Sequence, residues 1–224
     1  MARPNRVDIR GLIYHVINRA NARAKVFNIP QDYLLFENVL AEAKNREDMN
    51  IFAYCIMPTH WHLVVSPKQD GDLANFMRWL SMTHTQRWHS LKNTTGSGHL
   101  YQGRYKSFLC QKDDHFLQLV RYVERNALRA NLVKRAEDWR WSSGWRRERG
   151  TVKQKQLLSD WPIDQPSDYL SLLNSPQSPA EEEKINHSLI RGNPFGDTLW
   201  TTKVINRFNL FSTMRERGRP RKGS

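Results

Sequence analysis

The order of apolar and polar positions divides residues 1–130 into short elements of two different periods. Leu12-Ile13-Tyr14-His15-Val16-Ile17 has the β-branched and aromatic content of a strand. Leu35, Val39, Leu40 and Ala43 recur at helical spacing and predict a helix over Asp32 to Arg46. Ile51 to Met57 predicts a second strand. Pro58-Thr59 interrupts it, and His60 to Val65 predicts a third strand, closed by Ser66-Pro67. Leu73, Phe76, Leu80 and Thr83 share one side of a helix predicted over Asp72 to Leu91, and Asn93 to Gly98 has loop composition. A fourth strand is predicted over Tyr105 to Gln111, after which Asp113 or Asp114 caps a helix reaching Ala130. The order β-α-β-β-α-β-α predicts an α+β fold, a ferredoxin-like antiparallel sheet with helices packed on one face.

Beyond residue 150 the pattern changes. Residues 151–185, rich in Pro, Ser, Gln and acidic side chains, predict a linker or loosely packed extension. Residues 186–224 predict a basic C-terminal tail with one short helix over Asp197 to Phe208, where Trp200, Val204 and Phe208 share a side.

Composition narrows the function. With 35 Lys+Arg against 22 Asp+Glu, the 224-residue chain carries a formal charge of +13, which predicts a polyanionic partner. Its 8 Trp, 7 Tyr and 9 Phe supply a core and exclude a disordered basic protein. Cys55 and Cys110, the only cysteines, exclude a disulfide scaffold, a cysteine-based zinc finger and an iron–sulfur site. No apolar run approaches the roughly 20 residues of a membrane span, and no signal-peptide pattern opens the chain. The expected setting is cytoplasmic and nucleoid-associated, with nucleic acid preferred over anionic lipid.

Two constellations carry candidate chemistry. In His60-Trp61-His62 the two-residue period of a strand projects both imidazoles from one face and Trp61 from the other. The same spacing also suits two polar residues on a solvated sheet face. In the helix after Asp114, Phe116, Leu119, Val120, Val123 and Ala127 gather on one side, with His115, Gln118, Tyr122, Arg125, Asn126 and Arg129 opposite. Tyr122 and Asn126 stand one turn apart, an arrangement that an ordinary amphipathic helix with a solvated face also produces.

The segment Ala53 to Val65, with its His60-Trp61-His62, resembles the metal-binding strand of single-tyrosine HUH transposases. Tyr14-His-Val-Ile-Asn-Arg19, Tyr101-Gln-Gly-Arg-Tyr-Lys-Ser107 and Trp139-Arg-Trp-Ser-Ser143 resemble segments of the REP-associated tyrosine transposases, a branch of the IS200-like group. Arg121 to Val133 is similar to the helix bearing their nucleophile. The five matches run in order from Arg6 to Ser143, making residues 1–150 the expected catalytic domain. The pattern is broken at Thr59, where Asn is usual, at Ala127, where Pro is common, and at Asn131, where Gly is frequent.

The resemblance implies a metal-dependent DNA transposase, a single-strand endonuclease and strand transferase. Tyr122 is its implied nucleophile, forming a 5′-phosphotyrosine, with His60, His62 and Asn126 the metal ligands. The substrate it implies is a REP-type hairpin of single-stranded DNA, bound by a monomer, although many wider relatives are dimers. Two imidazoles and an amide oxygen leave octahedral positions open, so Mg²⁺ or Mn²⁺ suits the site better than a closed zinc centre.

Arg104, Lys106, Arg121, Arg125 and Arg129 are candidate phosphate contacts. Arg217-Gly218-Arg219-Pro220 resembles an AT-hook core, and together with Arg221 and Lys222 it predicts further DNA affinity. The rival from a binding class is a catalytically silent hairpin DNA- or RNA-binding protein with a structural metal site. A histidine-triad hydrolase would need a third alternating His, and position 64 is Val64. Tyr14 and Tyr54 are expected in the core, and Tyr101 and Tyr105 in base stacking or sheet packing. His15, His84, His89 and His99 are assigned no ligand role, and neither His115 nor Glu124 is assigned as general base.

Overall fold

The computed structural model describes residues 7–214. Its centre is a four-stranded antiparallel sheet formed by β1 (Ile13–Arg19), β2 (Asn50–Met57), β3 (His60–Ser66) and β4 (Lys106–Cys110), in the order β2-β3-β1-β4. The β2–β3 hairpin turns at Pro58-Thr59, and its register sets Met57 opposite His60 and Cys55 opposite His62. On the other side of β3, Ile17 faces His62 and Arg19 faces His60. Strand β1 thus runs two residues beyond the predicted Ile17, carrying Asn18 and Arg19 to the level of the histidines.

The β1–β2 connection is α1 (Pro30–Glu47), and α2 (Asp72–Leu91) joins β3 to β4; the two pack together on one face of the sheet. Pro30 opens α1 at a position where its missing N–H costs nothing, and Asp32 Oδ2 accepts the orphan N–H groups of Asn28 and Ile29. Tyr14, Val16, Tyr54, Ile56, Trp61, Leu63 and Val65 point into this layer and pack against Phe36, Leu40, Phe76 and Leu80.

The expectation of helices on one face accounts for α1 and α2 but not for the rest. The other face is also apolar, through Ile13, Ala53, Cys55, Met57, Val64, Phe108 and Cys110, and it is covered by α3 (Asp114–Glu124) through Phe116, Leu119, Val120 and Val123. Strands buried on both sides lose the alternation that marks a one-sided sheet, and β2 is buried at every position after Asn50. The helix predicted to Ala130 is divided at Arg125, where α4 (Asn126–Arg129) begins. Asn131 then takes φ 55°, a left-handed conformation that Asn tolerates in place of Gly.

Residues 151–185 are not a loose linker. They hold α6 (Val152–Lys155), α7 (Tyr169–Asn174) and the first turns of α8 (Pro179–Arg191), and they follow α5 (Ser143–Arg149). Tyr169, Leu173 and Ile185 are buried in the α3 layer, and Leu157 in the other. The few apolar residues here are spent on contacts distant in sequence, which local composition does not reveal. The predicted C-terminal helix is α9 (Thr198–Phe208), capped by Asp197. Trp139-Arg-Trp-Ser-Ser143 shields the free edge of β2: Trp141 C=O accepts from Ile56 N–H, and Trp139 Nε1 donates to Ile56 C=O.

Candidate active site

Because β3 alternates, Trp61 enters the α1/α2 layer while His60 and His62 turn toward α3. Their ring centroids lie 5.1 Å apart. Burial lowers the pKa of His60 to about 4 and pushes that of His62 well below the ordinary histidine range, with neighbouring positive charge reinforcing both shifts. Each ring is therefore a neutral imidazole at neutral pH.

Both Nδ1 atoms are engaged. Thr59 Oγ1 lies 3.0 Å from His60 Nδ1, and His15 Nε2 lies 2.9 Å from His62 Nδ1. Among the described residues, Nε2 is the nitrogen left for a ligand in each ring. Thr59, where Asn is usual, still supplies a polar partner.

Helix α3 brings Tyr122 to the same place, its ring centroid 6.2 Å from that of His62. The phenol donates to Asn186 Oδ1 of α8 at 2.9 Å. Burial raises the Tyr122 pKa, and the Arg129 guanidinium, 4.0 Å above the ring centroid, opposes that rise. Asn126 sits one turn on, its Nδ2 donating to the carbonyls of Tyr122 and Val123 and its Oδ1 accepting from Arg129 Nη2 at 2.9 Å. An amide oxygen has two lone pairs, so one remains. No group of three or more His, Cys, Asp or Glu gathers among the described residues. The donors at hand are two imidazole nitrogens and one amide oxygen, a set that fits a divalent ion keeping several water or phosphate ligands.

These groups open onto a cavity of about 780 Å³ whose walls include Arg19, His60, His62, Arg104, Lys106, Tyr122, Asn126 and Asn186. Of the predicted phosphate contacts, Arg104 and Lys106 lie here, and Arg129 lies against Tyr122. Arg121 and Arg125 lie away from that cavity's walls. They are buried, and their guanidinium groups cap helix α7: Arg121 donates to the carbonyls of Leu172 and Ser175, and Arg125 to that of Leu173. The helical wheel placed Arg125 on a polar face that α7 in fact covers. Arg217, Arg219, Arg221 and Lys222 lie outside the described residues.

The groups set aside in the sequence have other partners. Glu124 is buried and bonded to Ser143 Oγ and Tyr169 Oη, which ties α3 to α5 and α7. His115 pairs with Asp113 at the start of α3. Tyr101 Oη accepts from Trp61 Nε1 and bonds His84 Nδ1, a buried structural link. Sequence reasoning missed three site residues: His15, Arg19 and Asn186. Alternation along β1 aligns His15 and Arg19 with Ile17, which was the available signal. Asn186 had none, because its place depends on how α8 folds back.

A sheet presenting paired histidines to a helix-borne tyrosine defines the class of single-tyrosine HUH proteins. The family model described as "Transposase IS200 like" matches residues 8–126, just over half the chain, and the protein belongs to that family. Among solved structures, a REP associates tyrosine transposase bound to a REP hairpin is similar with a TM-score of 0.56 and 20% identity, over 73% of this chain and 93% of that one. A second, from Deinococcus radiodurans R1 and only provisionally titled a transposase, has 20% identity and a TM-score of 0.40 over 55% of this chain and 97% of that one. Curated proteins gave no match. Among the described residues no helix is long and apolar enough to cross a membrane.

Proposed function

We propose that this protein is a divalent-metal-dependent single-strand DNA endonuclease and strand transferase of the REP-associated tyrosine transposase branch. Its substrate is REP-type hairpin DNA, the ligand carried by the similar structure. The observation supporting this most directly is that Tyr122 and the paired histidines, from different elements, line one cavity with Arg19, Arg104 and Lys106.

In this reading the phosphodiester enters the cavity with its non-bridging oxygens toward Arg19, Arg104 and Lys106. His60 and His62 through Nε2, with Asn126 through Oδ1, would hold a Mg²⁺ or Mn²⁺ ion, which would supply Lewis-acid polarisation of the phosphoryl oxygen. Tyr122 Oη attacks phosphorus, a P–O bond forms to the phenol, and the bond to the 3′-oxygen breaks. The phenolic proton passes to solvent water and the departing 3′-oxygen takes one from solvent, leaving a 5′-phosphotyrosine and a free 3′-hydroxyl. Bond energy is kept, so the reverse attack by a 3′-hydroxyl rejoins strands without ATP. Asn186 accepts the phenol's hydrogen bond and fixes the direction of Oη, but an amide is too weak a base to take the proton. Most of the acceleration comes from placing nucleophile and phosphate together in one walled site.

The competing reading, a silent hairpin binder, draws on Asn126 Oδ1 already being held by Arg129. Incubation of the native chain and Tyr122→Phe with a single-stranded hairpin oligonucleotide separates the two. Mn²⁺-dependent cleavage by the native chain alone supports the enzyme, whereas tight binding without cleavage supports the binder.

A further inference from the structure

We infer that His15, on β1, is a positioning residue that decides whether His62 can serve as a cation ligand; this rests on the cation site proposed above. The His15 ring is fully buried and stacked on Phe108, with centroids 4.9 Å apart and planes inclined by 23°. A ring held this way cannot turn aside. Its Nε2 is 2.9 Å from His62 Nδ1, and its own Nδ1 has no hydrogen-bond partner among the described residues.

One proton lies between the two neutral rings, and it has two possible homes. When His15 donates, the remaining proton of His62 sits on Nε2, facing the cavity, and that nitrogen has no lone pair for a cation. When His62 donates from Nδ1, Nε2 is a free donor atom and His15 must carry its own proton on the partnerless Nδ1. Cation binding therefore selects the second arrangement and leaves His15 with a buried N–H that nothing accepts, at a cost. The histidine pair couples an event in the cavity to a tautomer change one strand away. Partners of this kind commonly govern affinity about 10- to 100-fold.

A glutamine accepts from His62 Nδ1 through Oε1 without having to move a proton to an orphaned nitrogen, and leucine cannot accept at all. Calorimetric titration of the full chain with MnCl₂, without DNA, tests this in the native chain, His15→Gln and His15→Leu. We expect His15→Gln to bind as tightly as the native chain or more so, and His15→Leu to bind about 10- to 100-fold more weakly. Histidine ¹⁵N spectra of the native chain saturated with Mg²⁺ are expected to show His62 protonated on Nδ1. Equal affinity of the native chain and His15→Leu, or a proton on His62 Nε2 at saturation, overturns the role of His15. A native chain that binds no Mn²⁺ overturns the cation site itself, a distinguishable failure. The spectra need no substitution, so the test stands even if His15→Leu does not fold.

Discussion

The hydroxyl of Tyr122 donates to Asn186 Oδ1 across 2.9 Å, joining a residue inside the span matched by the family model to one 60 residues beyond its end. The candidate nucleophile is held by a helix that the matched segment does not contain. Loss of one such bond is worth about 1 kcal/mol. Asn186→Ala is therefore expected to slow phosphotyrosine formation by about fivefold, with folding retained, as measured by single-turnover adduct formation. An unchanged rate would remove Asn186 from the site.

Substitution of either paired histidine should abolish cleavage without unfolding the chain. His60 is partly exposed to the cavity, so His60→Ala is the cleaner choice. Its cleavage rate in Mn²⁺ should drop at least about 100-fold, well beyond the loss typical of groups that only orient a ligand, while hairpin affinity without metal stays within about threefold of native. Retention of metal-stimulated cleavage would contradict ligation by His60.

The arginines divide into two groups that respond differently. Arg104 and Lys106 line the cavity, and neutralising either to Gln should reduce the slope of log affinity against log salt by about 0.7 on single-stranded DNA. Arg121→Ala should leave that slope unchanged. It uncovers the carbonyls of Leu172 and Ser175 and should destabilise the fold by about 2 kcal/mol. A changed salt slope for Arg121→Ala would restore it as a phosphate contact.

Stability should fall on mild acidification. Burial holds His84 at a pKa of about 3, against 6.5 for the free side chain, and it bonds the Tyr101 hydroxyl in the core. A folded pKa below the unfolded one means that the unfolded chain takes up the proton first. The contribution is complete above about pH 6.5 and is lost progressively as pH falls toward about 3. The thermal midpoint should therefore decrease between about pH 7 and pH 5, and His84→Asn should flatten that dependence. A native midpoint independent of pH over this range would contradict the buried neutral state.

Much of this was legible in the sequence, for local reasons. Strand and helix periods placed all four strands, the α1, α2 and α9 helices and the start of α3 within a few residues, because those patterns report which side of each element is buried; the break at Arg125 was not foreseen. The convergence of His60, His62 and Tyr122 followed from alternation and the ordered family segments. Residues 151–185 were misread because their signals are sparse and local, such as the capping box from Ser178 to Glu181 that opens α8, which the left-handed Gly192 ends. The burial of Tyr169 and Leu173 depends on α3, distant in sequence. For the same reason Arg121 and Arg125 read as candidate phosphate contacts, and Asn186 was invisible.

The most direct measurement of the central claim is peptide mass spectrometry of the native protein after reaction with hairpin DNA and Mn²⁺. The account predicts one covalent 5′-phosphonucleotide, on Tyr122. An adduct on another tyrosine, or full cleavage with no adduct at any stage and undiminished in Tyr122→Phe, would contradict it.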